Sequence, residues 1–136
     1  MGYESKCVIV ERKEHEFPNG SKWVYGGEIA RFDLSKMGYE TVGGATFRDI
    51  FKTPIDFDIY VNMDDGNEHS QEYWRTDMYG DYCKWVTVDE VLAWLDASDV
   101  VKMCYRRATL FRDFLFVLKL NHEHDFNQIC VVHYGY

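Results

Sequence analysis

The chain has 136 residues, of which 46% are hydrophobic and 17% aromatic, and this suits one globular domain with a substantial core rather than a disordered chain. Its net charge of −8 and pI near 5.0 disfavour binding of nucleic acid or of an anionic membrane surface, because both depend on clustered lysine and arginine. No apolar run approaches the roughly 20 residues of a membrane-spanning helix, and the N-terminus lacks the pattern of a secretory signal, so we expect a cytoplasmic protein.

The first half of the chain predicts β-structure. Residues 7–10 predict a strand, and residues 17–21 predict a turn, because Pro fixes φ and Asn-Gly accepts a positive φ. Residues 22–25 and 28–34 predict a second strand or a pair, with Gly26 and Gly27 at a bulge or turn. Residues 46–52 predict one or two helical turns. Alternation over residues 56–63 predicts a half-buried strand, with Phe57, Ile59 and Val61 on one face.

The second half adds two helices and a last strand. Residues 64–67 predict a turn, and residues 68–84 lack clean periodicity and predict a loop. Thr87 and Glu90 have the spacing of a capping box, which predicts a helix through Asp96. A longer helix is predicted over residues 98–120 and a strand over residues 129–134. The whole pattern predicts a single α+β domain over residues 1–136, with a small, mostly antiparallel sheet and both helices on one face.

The acidity is concentrated in the middle of the chain. Residues 56–99 carry 12 acidic side chains against two basic ones, whereas residues 1–55 are balanced. One interpretation is a solvated surface that keeps the protein soluble. The other is a face that binds a basic protein, because tyrosines and tryptophans interleave the acids. The candidate partner-binding residues of this acidic-aromatic segment (residues 56–85) are Asp64, Asp65, Glu68, Glu72, Tyr73, Trp74, Asp77, Tyr79 and Asp81.

Cysteine and histidine supply one candidate metal site. The four cysteines are isolated and lack zinc-knuckle spacing, and a reducing cytoplasm disfavours disulfides. Cys83 lies in the acidic-aromatic segment, where we expect an accessible thiol. His122 and His124 lie in a predicted loop, and imidazole is a good zinc ligand. A Zn²⁺ site of Cys83, His122 and His124 is one hypothesis, and ordinary surface histidines are the other. The cysteines expected to be buried hydrophobes are Cys7, Cys104 and Cys130.

The sequence lacks a recognisable catalytic motif. Residues 64–68 do not have the ligand spacing of an EF-hand calcium loop. No phosphate-binding glycine loop or nucleophile elbow occurs. These observations favour a protein that is not an enzyme. A small enzyme that acts on a nucleotide signal, with histidine as general base, is the alternative.

Four segments together resemble a family of small proteins encoded by phages and prophages of Firmicutes. They are Glu-Ser-Lys at 4–6, Ile-Ala-Arg-Phe-Asp-Leu-Ser-Lys-Met-Gly at 29–38, Tyr-Arg-Arg at 105–107 and Val-Val-His-Tyr-Gly-Tyr at 131–136. Small acidic phage proteins include inhibitors of bacterial defence, among them type II-A anti-CRISPR proteins, some of which bind a structural metal. Such inhibitors bind the RNA-guided nuclease where nucleic acid would lie, and that surface is basic.

The resemblance therefore implies a phage-derived inhibitor that binds the type II CRISPR effector through the acidic-aromatic segment. The low pI and the absence of a long apolar run separately predict no direct contact with nucleic acid and no membrane. A zinc-binding structural or regulatory module for protein interaction is the alternative within the binding proteins.

Overall fold

The computed structural model describes residues 5–34, 41–62, 71–76, 80–100, 106–121 and 128–134, which form an α+β fold. The helices are α1 (Val88–Ala97) and α2 (Arg106–Asn121), and Arg48–Ile50 form a short 3-10 turn. The strands are β1 (Lys6–Glu16), β2 (Lys22–Asp33), β3 (Thr41–Val42), β4 (Ala45–Thr46), β5 (Thr53–Pro54), β6 (Asp58–Asn62), β7 (Gln71–Trp74), β8 (Lys84–Thr87) and β9 (Ile129–His133). Within these residues, neither helix is long and apolar enough to cross a membrane.

A curled sheet of seven strands organises the fold. Its order is β5-β8-β9-β1-β2-β6-β7, and β3 and β4 pair separately. Neighbouring strands of this sheet are antiparallel, except that β2 and β6 are parallel. The curl brings its two ends together, because the Cys83 N–H, just before β8, donates to the Arg75 carbonyl, just after β7, at 3.1 Å. The predicted class, a mostly antiparallel sheet with two helices in the second half of the chain, is confirmed.

The first hairpin is longer than predicted. β2 is continuous from Lys22 to Asp33, so the alternative of a turn at Gly26 and Gly27 is wrong. The irregularity lies further along: Ile9 pairs with Ala30 and Val10 with Glu28, which leaves Ile29 as the extra residue. The predicted turn at residues 17–21 is confirmed, and Gly20 there has a φ of +87°.

Alternation along β1 divides the hydrophobic side chains into two cores. Cys7 and Ile9 face the helices, whereas Val8 and Val10 face the inside of the curl, and all four are fully buried. The outer core, under the helices, also contains Leu34, Phe47, Val86, Val91, Leu95, Phe111, Leu115 and Val131. The inner core, inside the curl, also contains Ile55, Phe57, Ile59, Cys83, Cys130 and Val132.

The predicted burial of two cysteines is confirmed. Cys7 is fully buried and Cys130 is 4% exposed, so both act as small hydrophobic side chains. Burial raises the pKa of the Cys7 thiol well above its ordinary value and raises the pKa of Cys130 to about 11. Cys104 lies outside the described residues.

Hydrogen bonds mark both ends of α1. Thr87 Oγ1 accepts from the Glu90 backbone N–H at 3.2 Å, so the predicted cap of α1 is confirmed. The predicted helical start at residue 98 is wrong, because residues 98–100 form a bend and a turn. The Ser98 N–H donates to the Trp94 carbonyl and its hydroxyl donates to the Leu95 carbonyl. Ser98 therefore closes α1 instead of capping a new helix.

The predicted loop over residues 68–84 contains a strand. Residues 71–74 form β7, which pairs with β6 from Ile59–Trp74 to Asn62–Gln71, and Thr76 forms a bridge with Tyr82. An edge strand needs only one hydrogen-bonded neighbour, so a short polar segment can join a sheet without a clear apolar pattern. Residues 63–70 and 77–79, with the predicted turn at 64–67, lie outside the described residues.

Gly26 lets the inner core close. It pairs with Arg12 on β1 and Ile59 on β6, and a Cβ added to it would meet the Phe57 ring at 2.8 Å and Val10 Cβ at 3.2 Å. The neighbouring Gly27 has ordinary room, since its nearest neighbour would be Lys13 Cε at 3.6 Å.

We predict that Gly26→Ala lowers the free energy of unfolding by about 1–3 kcal/mol, because Phe57 must leave its position to admit the methyl group. Gly27→Ala is the matched control, and we expect a change within about 1 kcal/mol of wild type, since restricting the unfolded chain offsets small losses. Urea unfolding of the two variants measures the difference. Equal stability of the two variants would contradict the close contact between Gly26 and Phe57.

Candidate functional site

Three aromatic side chains form a row on the outer surface of the sheet. Trp23 and Tyr25 lie two residues apart on β2, so both point to the same face. Their rings are stacked, with centroids 4.5 Å apart and planes 24° from parallel. Tyr60 on β6 lies next to Tyr25, with ring centroids 6.3 Å apart. We call Trp23, Tyr25 and Tyr60 the aromatic row, and all three side chains are half-buried.

The row lies beyond the end of the helix layer. Lys13 pairs with Tyr25 and, by alternation along β1, shares the face on which Cys7 and Ile9 contact the outer core. α2 covers this face near Phe32, whose ring lies 5.1 Å from that of Phe111. The row instead borders an open groove of about 500 Å³, which is completed by Lys13, Gly27 and Glu28.

Asp58 holds one end of the row. Its carboxylate accepts from Trp23 Nε1 at 3.4 Å and from Arg75 Nε at 3.1 Å. Register explains this arrangement, because parallel pairing places Asp58 beside Tyr25 and Tyr60 beside Gly27. The bonds fix the Trp23 indole and also connect β6 to the residue that follows β7. Asp58 is thus both an acid of the acidic-aromatic segment and a positioning group for the row.

Two of the predicted partner-binding residues that the structure describes lie away from the row. Trp74 pairs with Ile59 and faces the inner core, where its ring lies 5.5 Å from that of Tyr134. Asp81 is exposed and lines a different cleft, described below.

The other predicted partner-binding residues are described in part or not at all. Glu72 lies opposite Val61 and Tyr73 opposite Tyr60 in the ladder of β6 and β7. For the remaining five residues, the role in partner binding stays a prediction. The five that lie outside the described residues are Asp64, Asp65, Glu68, Asp77 and Tyr79.

Trp23 and Tyr25 were not among the residues expected to bind a partner. The signal for them is present in the sequence, because two large aromatic residues at i and i+2 on a predicted strand must share a face. Their exposure depends on where the helices end over the sheet, and local pattern does not contain that information.

The expectation of an accessible Cys83 thiol is wrong. Cys83 is 2% exposed and packs in the inner core. It is buried because its backbone closes the curl: the N–H bonds to Arg75, and the carbonyl accepts from the Ile55 N–H at 2.9 Å. His122 and His124 lie outside the described residues, and among the residues described no group of three His, Cys, Asp or Glu side chains could hold a metal ion. The zinc site of Cys83, His122 and His124 stays a hypothesis.

His133 lines a second cleft, on the outer face at the end of β9. It is 6% exposed, its Nε2 lies 2.7 Å from Ser5 Oγ, and its ring centroid lies 5.1 Å from that of Phe51. Burial, with a smaller contribution from Arg48, lowers the pKa of His133 from 6.5 to about 4, so the imidazole is neutral at pH 7. Ser5 is fully buried, which withholds its hydroxyl from any molecule in the cleft.

We predict that His133 makes stability depend on pH. The unfolded chain binds a proton at this residue below about pH 6.5, whereas the folded protein binds it only near pH 4. The stability that the folded protein gains by holding His133 neutral is therefore complete above pH 6.5, and it is lost as the pH falls towards 4. Between pH 7 and pH 4.5 the loss is about 2 kcal/mol.

Urea unfolding gives the free energy of unfolding at pH 7 and at pH 4.5. Because other groups also titrate in this range, the decrease in wild type is compared with the decrease in two variants. His133→Gln should show a smaller decrease than wild type, whereas His15→Gln, at an exposed histidine, should keep the full decrease. An unchanged decrease in His133→Gln would contradict the assignment.

The zinc hypothesis predicts about one zinc ion per chain in the purified protein and a lower melting temperature after chelation. Elemental analysis and thermal unfolding with a chelator measure these two quantities. A metal-free, folded sample with unchanged stability would remove the hypothesis.

Comparison with protein-family models, with curated proteins and with solved structures found no match to this chain. Function must therefore be inferred from the side chains and surfaces of the chain itself.

Proposed function

We propose that this protein is a non-enzymatic, phage-derived inhibitor that acts in the bacterial cytoplasm. It binds the basic, nucleic-acid-binding surface of a defence nuclease, and the partner that fits best is the type II CRISPR effector. The observation that carries the proposal is the half-exposed aromatic row of Trp23, Tyr25 and Tyr60 beside the strands of the acidic-aromatic segment.

The row has the properties of an anchor for a protein partner. Tyrosine and tryptophan contribute much of the binding free energy at interfaces, since each buries a large area with few rotatable bonds. Stacking between Trp23 and Tyr25, and the hydrogen bond from Trp23 to Asp58, already restrict these side chains. Less conformational entropy is then lost on binding, which favours affinity.

The charge of the segment that contributes Tyr60 to the row suits a basic partner. The row lies on β2 and β6, and β6 begins the segment 56–99, in which acidic side chains exceed basic ones by ten. Several of these acids already have basic partners within the protein. Ion pairs join Asp56 to Arg12, Asp58 to Arg75, Asp89 to Lys119 and Asp96 to Arg112. The excess is nevertheless large enough to attract a surface that normally holds nucleic acid, and such attraction mainly raises the rate of association.

A binding role also suits the interior of the second cleft. Its histidine is neutral at pH 7 and its nearest hydroxyl, on Ser5, is fully buried. A nucleophile must be able to reach its substrate, so this pair supports the fold better than it supports catalysis.

The aromatic row can be tested by binding to immobilised type II effector and by target cleavage. We expect Tyr25→Ala and Tyr60→Ala each to weaken binding at least tenfold, because each removes a central anchor. Phe116→Ala is the control, since this exposed aromatic residue lies on α2, outside the acidic-aromatic segment, and the variant should bind like wild type. Wild-type binding by both row variants would contradict the proposed face, and undiminished cleavage at saturating protein would contradict inhibition.

The contribution of charge needs a control of equal charge. We compare two double variants that change the net charge equally, Asp64→Lys/Asp65→Lys and Asp99→Lys/Asp113→Lys. Only the first pair of positions belongs to the predicted partner-binding residues. The first variant should lose binding at about 0.05 M salt, and the second should keep it. Equal loss by both would mean that only total charge matters, which contradicts a defined acidic face.

A further inference from the structure

Three basic side chains gather in one cleft of this acidic protein. Arg48, Lys52 and Lys84 line the cleft of about 680 Å³ that contains His133, in a chain with 23 acidic and 15 basic residues. Their positions follow from the fold: Arg48 begins the 3-10 turn, Lys52 follows that turn, and Lys84 begins β8 directly opposite His133. The cluster is therefore built from separate parts of the chain.

The lysines of this cleft differ from two other lysines of the surface. Lys22 and Lys119 are each in an ion pair, with Glu14 at 3.3 Å and with Asp89 at 2.5 Å. Neither Lys52 nor Lys84 lies within ion-pair distance of a carboxylate in the described ranges of the chain. Within the described part of the chain, no carboxylate therefore competes directly with a ligand for these two charges.

The described lining of the cleft also includes two carboxylates, Asp49 and Asp81, and Asp49 already accepts a hydrogen bond from the backbone. Asp49 Oδ2 accepts from the Thr46 backbone N–H at 2.9 Å. This hydrogen bond, more than the nearby Arg48 and Lys52, lowers the pKa of Asp49. Asp81 is exposed and already has an interaction within the protein. Among the lining residues that the structure describes, the three bases exceed these two acids, whereas acids exceed bases in the chain as a whole.

The remaining surface of the cleft suits a flat or apolar group. Phe51 and Pro54 contribute apolar lining, and Tyr82 presents a ring that is 57% exposed. An exposed aromatic ring can stack on a planar ligand. The volume lies within the range of roughly 300–1,000 Å³ that is usual for small-molecule sites.

We propose that this cleft binds a small phosphate-bearing molecule with a planar group, of the size of a nucleoside monophosphate. Lys52 and Lys84 bind the phosphate, and Tyr82 stacks on the planar group. This site is separate from the aromatic row, and it does not depend on the proposed inhibition of a nuclease.

Isothermal titration at low salt with adenosine monophosphate, pyrophosphate and adenosine tests the site. We expect adenosine monophosphate and pyrophosphate to bind, and adenosine to bind at least tenfold more weakly than its monophosphate. The double variant Lys52→Gln/Lys84→Gln should lose at least tenfold in affinity for both phosphate compounds. Lys22→Gln/Lys119→Gln is the matched control, because it removes the same charge from two exposed lysines elsewhere, and it should bind like wild type.

Tyr82→Ala separates the two parts of the site. It should weaken binding of adenosine monophosphate and leave binding of pyrophosphate unchanged. Melting temperatures of all variants establish that each is folded before titration. The proposal is overturned if neither phosphate compound binds to wild type, if the two double variants bind equally, or if adenosine binds as tightly as its monophosphate.

Discussion

The fold depends on covering both faces of the curled sheet with hydrophobic side chains. β1 has side chains buried on both faces from Cys7 to Val10, so it needs a hydrophobic layer on each side. The helices supply the outer layer. The inner layer comes from the sheet itself, which curls until Phe57 reaches the backbone of Gly26. Each of these buried hydrophobic side chains contributes roughly 1.5–3 kcal/mol relative to an exposed position, so the curl is strongly stabilised.

The same curl determines where the outer surface is left open. β1 and β2 are longer than the helices can cover, and the part of β2 beyond α2 carries Trp23 and Tyr25 on its outer face. At the other end of β1, His133 and Lys84 lie beside the 3-10 turn and form the basic cleft. Cys7, which pairs with His133, and Lys13, which pairs with Tyr25, are six residues apart on β1, and this corresponds to about 20 Å. The two candidate sites are therefore distinct surfaces of the same sheet.

Local patterns in the sequence predict the features that depend on neighbouring residues. Alternation over residues 56–63 predicts β6, and the spacing of Thr87 and Glu90 predicts the start of α1. The features that were predicted wrongly depend on hydrogen bonds that the hydrophobic pattern does not reveal. Ser98 bonds back to α1 rather than forward, and Cys83 is buried because the chain at that point closes the curl against Arg75.

The candidate sites, too, were predicted only in part from the local sequence. The acidic-aromatic segment is visible in composition, but the row combines Tyr60 of that segment with Trp23 and Tyr25 from a strand more than 30 residues earlier. The parallel pairing of β2 with β6 brings them together, and no local pattern predicts that pairing. The basic cleft likewise combines Arg48, Lys84 and His133 from three parts of the chain.

Fluorine NMR of protein labelled with 5-fluorotryptophan tests the central claim, that the aromatic row is the face that binds the partner. The chain has four tryptophans, and replacing Trp23 by Phe identifies its resonance. On addition of the type II effector, we predict that the resonance of Trp23 shifts or broadens most, whereas that of Trp94, which is 4% exposed in the outer core, changes least. A complex that forms while the Trp23 resonance stays unchanged relative to that of Trp94 would contradict the account.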